Sequence, residues 1–137
     1  MIAFATIMCA YLYGYSDIIL SNEKSSNEEN MWWKDIKINH QYSKSFEFEK
    51  DFSAYVKKYI SKKVHYFSLL RGMYEYKIAG IFAQKKEFFS TFSSCNANFS
   101  ILQNTQSSAW CNDCPKCVFV FLMLSNFLEM HELKSIF

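Results

Sequence analysis

Four cysteines carry the strongest chemical signal in the chain. Cys95 is followed by Cys111, Cys114 and Cys117 in the run Trp110-Cys-Asn-Asp-Cys-Pro-Lys-Cys-Val, a C-x15-C-x2-C-x2-C spacing. Two-residue gaps let successive thiolates converge on one ion from a tight turn, and a distant fourth closes a tetrahedral, all-sulfur zinc shell. Pro115 stiffens that turn, while Asn112 and Asp113 tolerate its backbone angles. Four thiolates leave no position for water or substrate, so this zinc would be structural and would contribute to folding rather than to chemistry. A reduced, partly buried thiol cluster is the plainer alternative, because free cysteine is a common core residue. Cys9, the fifth thiol, lies in an apolar stretch and reads as packing.

Two other places hold reactive polar groups. The segment Asn22-Glu-Lys-Ser-Ser-Asn-Glu-Glu-Asn30 follows the short apolar run Tyr15–Ser21. A loop at the carboxyl end of a buried strand is where α/β proteins place binding groups. Ser25 and Ser26 stand three residues before Glu28 and Glu29, so overlapping capping boxes opening a short helix explain those four residues. Glu23 is left outside that explanation and is the leading functional carboxylate. Arg71 is the only arginine beside fourteen lysines. It suits a bidentate contact with phosphate or carboxylate, and a surface salt bridge is its other use. His40, His65 and His131 belong to no ligand pattern and read as structural or surface residues.

The elements that must position these groups fit one domain of 137 residues. Half the residues are hydrophobic and 19% are aromatic, which excludes a disordered chain. The net charge of +2 gives no broad footprint for nucleic acid. Apolar runs at 2–13 and 118–124 are too short to span a bilayer and read as buried helices. No basic n-region opens the chain and the cysteine count is odd, so a cytoplasmic metal protein fits better than a secreted disulfide framework. Met1 starts inside an apolar helical pattern with no cap residue, as the carboxy-terminal portion of a larger protein would. Gly14 ends the first helix, Tyr15–Ser21 forms a strand, and Ser45 caps a helix carrying Phe48, Phe52, Val56 and Tyr59. His65–Leu70 is extended, helices follow near 73–83 and 118–128, and an amphipathic tail runs to Phe137. Residues 1–30 then read as the end of an α/β sheet region, and 31–137 as a helical, zinc-stabilised region.

The order of these blocks resembles the carboxy-terminal domain of the UDP-N-acetyl-α-D-muramoyl-L-alanyl-L-glutamate epimerases of bacterial peptidoglycan synthesis. The resemblance runs from about Ser16 to Phe137. It is carried by the strand with its Asn-Glu-Lys-Ser-Ser loop, the Ser-Phe-Glu-Phe-Glu-Lys helix, Phe-Ser-Leu-Leu-Arg, Phe-Ser-Ser-Cys-Asn, and Trp-Cys-x2-Cys-Pro-Lys-Cys-Val-Phe-Val-Phe-Leu. Two positions depart from it, Lys24 where an arginine is expected and Gly72 where a proline is expected. The layout is also similar to 7-cyano-7-deazaguanine synthases and other PP-loop ATP pyrophosphatases. The fold that this implies is the truncated carboxy-terminal part of a doubly wound, PP-loop (HUP-like) α/β domain, helix-rich, with a four-cysteine zinc turn.

The implied reaction inverts the terminal L-Glu of UDP-MurNAc-L-Ala-L-Glu. A free carboxylate makes its neighbouring C–H weakly acidic, and adenylylation by ATP would remove that charge. A positioned base would then take the α-proton and an acid return one on the opposite face. The resemblance implies Glu23 as a catalytic group, and Asn22, Lys24, Asn27 and Arg71 as substrate contacts. Cys95 has a rival role as an acid–base thiol of the kind cofactor-free racemases use. The Ser-Gly-Gly-x-Asp-Ser nucleotide loop of the PP-loop enzymes is absent, since the three glycines are Gly14, Gly72 and Gly80. ATP and Mg²⁺ would therefore act through an amino-terminal, ATP-binding half outside this chain, which becomes its partner alongside the UDP-muramoyl dipeptide. Neither membrane nor nucleic acid is implied. Two other readings share the cysteine layout: a PP-loop ligase or tRNA- or nucleobase-modifying enzyme, and a stand-alone zinc-stabilised interaction module.

Overall fold

The computed structural model of the chain describes residues 2–99 and 109–137. It forms two compact units, Met1–Tyr74 and Glu75–Phe137.

In the first unit, helix α1 (Ile2–Tyr13) stops at Gly14, whose φ of +74° only glycine adopts without strain. The Tyr15 amide donates back to the Ala10 carbonyl at 2.9 Å, which closes the C-cap. Strand β1 (Asp17–Leu20) follows, then a 3-10 turn over Lys24–Asn27 and a hairpin of β2 (Met31–Trp33) and β3 (Ile36–Ile38). Lys34 and Asp35, both at positive φ, make the two-residue turn that joins the hairpin. Helix α2 (Phe46–Tyr59) begins at Ser45, whose hydroxyl accepts the Phe48 amide. Strand β4 (His65–Ser68) closes the unit by pairing parallel with β1, Asp17 opposite His65 and Leu20 opposite Ser68. The crossover through α2 makes a βαβ arrangement.

Ala3, Ile7 and Ala10 of α1 and Phe52 and Val56 of α2 bury one face of this strand pair with Val64 and Tyr66. Three expectations need correction here. Helix α1 is not buried, because only its small and central residues reach the core, and Ile2, Met8 and Leu12 are mostly exposed. Cys9 does not pack; it faces outward. The stretch 31–137, read as helical apart from the extended His65–Leu70, also holds the β2–β3 hairpin.

The second unit holds α3 (Glu75–Phe82), α4 (Pro115–Leu124) and α5 (Met130–Ile136). Pro115 opens α4 at its first position, where the missing N–H costs nothing. Glu129 and Glu132 form a capping box that starts α5, so the long apolar helix expected over 118–128 ends at Leu124. The core joins Ala83, Cys95, Trp110, Cys117, Leu124, Leu133 and Ile136. Val118 and Leu122 of α4 remain exposed, so this apolar run is only half buried. Among the described residues no helix is long and apolar enough to cross a membrane.

The chain is thus a mixed α/β protein with a parallel strand pair and a four-cysteine cluster.

Candidate metal centre and polar site

The cysteine cluster is built by the start of α4. Asn112 takes the left-handed conformation at φ +58°, which turns the backbone between Cys111 and Cys114. Cys111 Sγ accepts the Cys114 amide at 3.3 Å, and Cys114 Sγ accepts the Cys117 amide at 3.5 Å. Cys114 is also the N-cap of α4, so the helix dipole favours a thiolate there. Cys95 approaches from the preceding segment and is fully buried.

The four sulfurs lie within 4.8 Å of one another. Cys111 Sγ stands 3.7 Å and Cys114 Sγ 3.5 Å from Cys117 Sγ. A tetrahedron with Zn–S bonds of ~2.3 Å has edges of ~3.8 Å. The thiols are free and far beyond disulfide bonding distance. This donor set fits a closed, four-coordinate ion.

The electrostatics divide the set. The Cys117 amide, opposed by burial, brings the Cys114 thiol down to about 6. Burial pushes Cys117 up to about 12, with the Cys114 and Cys111 thiols beside it adding to the rise. Burial also opposes ionisation of Cys95, but backbone donors led by Asn98 and Cys111 outweigh it and lower its value. A cation among the four sulfurs would favour all four thiolates together.

The polar site occupies the carboxyl ends of β1 and β4. Parallel pairing sends both following loops out on one edge, so Asn22 and Arg71 meet around Ser68. Asn22 Nδ2 donates to Ser68 Oγ at 3.0 Å. Arg71 Nη2 donates to the same oxygen at 3.1 Å and to Glu49 Oε2 at 2.8 Å. Its Nη1 donates to Ser26 Oγ at 2.8 Å and to the Glu23 carbonyl at 3.4 Å. Ser68 in turn donates to Glu49.

The guanidinium therefore points into the protein, with 16% of the Arg71 side chain exposed. Its carboxylate partner is Glu49 and not Glu23. Burial pushes the Glu49 carboxyl up, but the Ser68 hydroxyl and the Arg71 guanidinium outweigh that and leave it below its ordinary value.

The remaining expected groups surround this network. Glu23 is half-buried, with Ser25 Oγ 3.4 Å from its Oε1. Lys24 is exposed; its ammonium lies 4.8 Å above the Tyr74 ring and its amide donates to the Met73 carbonyl. Asn27 is exposed, yet its Oδ1 accepts the Phe46 amide at 2.6 Å and so ties the loop to the first turn of α2.

The capping-box reading of Ser25, Ser26, Glu28 and Glu29 is overturned. The 3-10 turn begins at Lys24 and Glu28 already stands beyond its end. Ser26 is buried and accepts from Arg71, while Glu29 pairs with Lys37 across the hairpin. Ser26, Glu49 and Ser68 are the members that the sequence reading missed. For Glu49 a signal existed, because it shares a helical stripe with Phe52 and Val56.

Residues 1–69 match the MurL N-terminal domain and residues 91–137 the MurL C-terminal domain. The resemblance to the carboxy-terminal domain is therefore borne out over 91–137, and the first half of the chain adds the amino-terminal one. A UDP-N-acetyl-alpha-D-muramoyl-L-alanyl-L-glutamate epimerase of Xanthomonas oryzae is 37% identical over 131 residues, which is 96% of this chain and 29% of the relative. The enzyme of that name from a Micromonospora species is 39% identical over 137 residues, 100% of this chain and 30% of the relative. One from Salinispora tropica is 37% identical over the same length. The chain spans about 30% of the length of these curated relatives. No solved structure matches it. With more than half of its residues matching one domain of the family and most of the rest matching the other, the chain belongs to the MurL epimerase family.

Proposed function

We propose that the chain is one segment of an ATP-dependent epimerase that inverts the terminal L-Glu of UDP-MurNAc-L-Ala-L-Glu, a cytoplasmic step in making peptidoglycan precursors. The observation that carries this reading is identity of 37–39% along the whole chain to relatives bearing that enzyme's name. In this reading the strand pair β1–β4 belongs to a larger, doubly wound PP-loop-type sheet. ATP and Mg²⁺ act through the part of the enzyme that this chain does not span. The four cysteines hold a structural Zn²⁺ that stiffens the second unit.

The activated glutamate has lost its carboxylate charge to an acyl-phosphate bond, so its α-proton can leave to a carboxylate. Glu23 is assigned that proton transfer. Lys24, whose ammonium is exposed, is assigned a contact to the anionic groups of the substrate, and Asn27 one to an amide group through the second N–H of its Nδ2, the first already donating to the Lys24 carbonyl at 3.2 Å. Asn22 and Arg71 serve the site through the Ser68–Glu49 network that fixes the shape of the loop, because Asn22 Nδ2 and both Nη groups of Arg71 already donate within it.

The test is reconstitution. The chain is joined to the part of the Xanthomonas relative that it does not match, and incubated with UDP-MurNAc-L-Ala-L-Glu, ATP and Mg²⁺. Chiral analysis of the released glutamate should show the D form. A protein that consumes ATP only with a nucleobase acid or tRNA would contradict the reading.

A further inference from the structure

A two-strand parallel sheet is an incomplete object. Parallel strands are normally covered on both faces and continued at their edges. Here the face carrying Ile18, Leu20 and Tyr66 is packed, whereas on the other face Ile19 is 58% exposed.

The two outer edges differ. The amides of His65 and of Leu69, just past β4, donate to the carbonyls of Ser16 and Leu20, so the alternating peptide groups of Asp17 and Ile19 turn to the outer edge of β1. Among the described residues no strand pairs with that edge. The outer edge of β4 is already blunted, since Ser53 Oγ donates to the Tyr66 carbonyl at 2.7 Å.

Helix packing points to the same edge. Helix α1 lies over β1 and α2 over β4. Phe4 marks the flank of α1 that meets α2, its ring 4.9 Å from that of Phe52. On the opposite flank, Ile2, Ala5, Thr6 and Cys9 form an apolar groove of about 360 Å³ with Tyr15 and Ile18 of the strand side. The residues at its centre are small, so another backbone can approach closely.

We infer that the outer edge of β1 and the outer flank of α1 together form one docking surface. It receives a strand, with an attached helix, from the part of the family enzyme that this chain does not span. That part amounts to some 70% of the curated relatives' length, so ample polypeptide exists to fill the groove and continue the sheet. The inference rests on the reading that the chain works as a segment of a longer epimerase, and it names the surface through which it does so.

Cys9 reports on this surface directly, because it is the exposed thiol inside the groove. The chain is co-expressed with the unmatched part of the Xanthomonas relative, and Cys9 alkylation is followed by mass spectrometry. Labelling is expected in the chain alone and lost in the complex. Ile19→Pro removes an outward amide while sparing the bonds to β4, and proline is tolerated on such an edge. It should abolish capture of the partner segment. Ala5→Arg, at an exposed position, should do the same and serves if the proline variant does not fold.

Capture unchanged in Ala5→Arg, or Cys9 still labelled at its free rate in the complex, overturns the proposal even if epimerase activity is restored. So does Cys9 protection in a dimer of the chain alone, which would put a second copy in the groove, and so does a failure to capture the partner segment at all. Capture through the groove without epimerase activity supports the docking surface and contradicts the functional reading instead.

Discussion

Arg71 Nη2 lies 2.8 Å from Glu49 Oε2, and both side chains are mostly buried. The chain's only arginine is thus tied to a carboxylate in the first turn of α2, and through Ser26 to the loop after β1. Breaking such a pair leaves an uncompensated buried charge, at a cost of about 3–5 kcal/mol. Arg71→Leu and Glu49→Leu should each destabilise the first unit by about that much in urea unfolding, whereas the double variant should lose markedly less. Equal, additive losses would mean that the pair is not coupled.

The same carboxylate sets a pH dependence. Glu49 is held below its ordinary value in the folded chain. Its contribution to stability is therefore complete above the unfolded carboxylate range, about 4.3, and is lost as pH falls through the lower folded value. Unfolding midpoints measured from neutral pH downward should fall more steeply in the wild type than in Glu49→Gln. Parallel curves would remove Glu49 as the cause.

Metal analysis of reduced protein should find one zinc per chain. Serine at Cys95, Cys111, Cys114 or Cys117 should abolish stoichiometric zinc and loosen the second unit, because two of these thiols sit in its core. Cys9→Ser should leave the zinc content unchanged. Metal-free wild-type protein with an unaltered near-ultraviolet circular dichroism spectrum would show the cluster to be thiols only.

Helix α2 depends on two local acceptors at its start. Ser45 Oγ accepts the Phe48 amide at 3.1 Å and Asn27 Oδ1 accepts that of Phe46 at 2.6 Å. Ser45→Ala and Asn27→Ala should each cost about 1 kcal/mol in unfolding free energy. A loss in the first and none in the second would reduce Asn27 to a surface group.

Much of this arrangement was legible in the sequence, and the exceptions have physical reasons. The spacing of Cys111, Cys114 and Cys117 is local, so a turn and a cap suffice to express it, and Cys95 joins them as the residue types demand. Ser45 and the Phe48–Phe52–Val56 stripe likewise define α2 by periodicity. Two short apolar runs separated by a helix were legible as extended segments, and the structure adds their parallel pairing as β1 and β4. The capping boxes failed because Ser26 found a better use: an arginine forty-five residues away claims its hydroxyl, and no local pattern shows that. Glu49 stands in the first turn of α2, where a carboxylate usually does no more than match the helix dipole. Only its place on the buried stripe betrayed it. Helix α1 misled in the other direction, since an all-apolar run says that a helix will be covered but not by what.

Proton exchange at carbon tests the central claim most directly. The reconstituted enzyme is run in D₂O with UDP-MurNAc-L-Ala-L-Glu, ATP and Mg²⁺, and the glutamate is resolved by chirality and mass. Inversion through an activated acyl group with Glu23 as the proton-transfer group predicts D-Glu carrying one deuterium at Cα, formed only with ATP and lost in Glu23→Gln. L-Glu as the sole product, or D-Glu without deuterium, from a folded, ATP-consuming enzyme would contradict it.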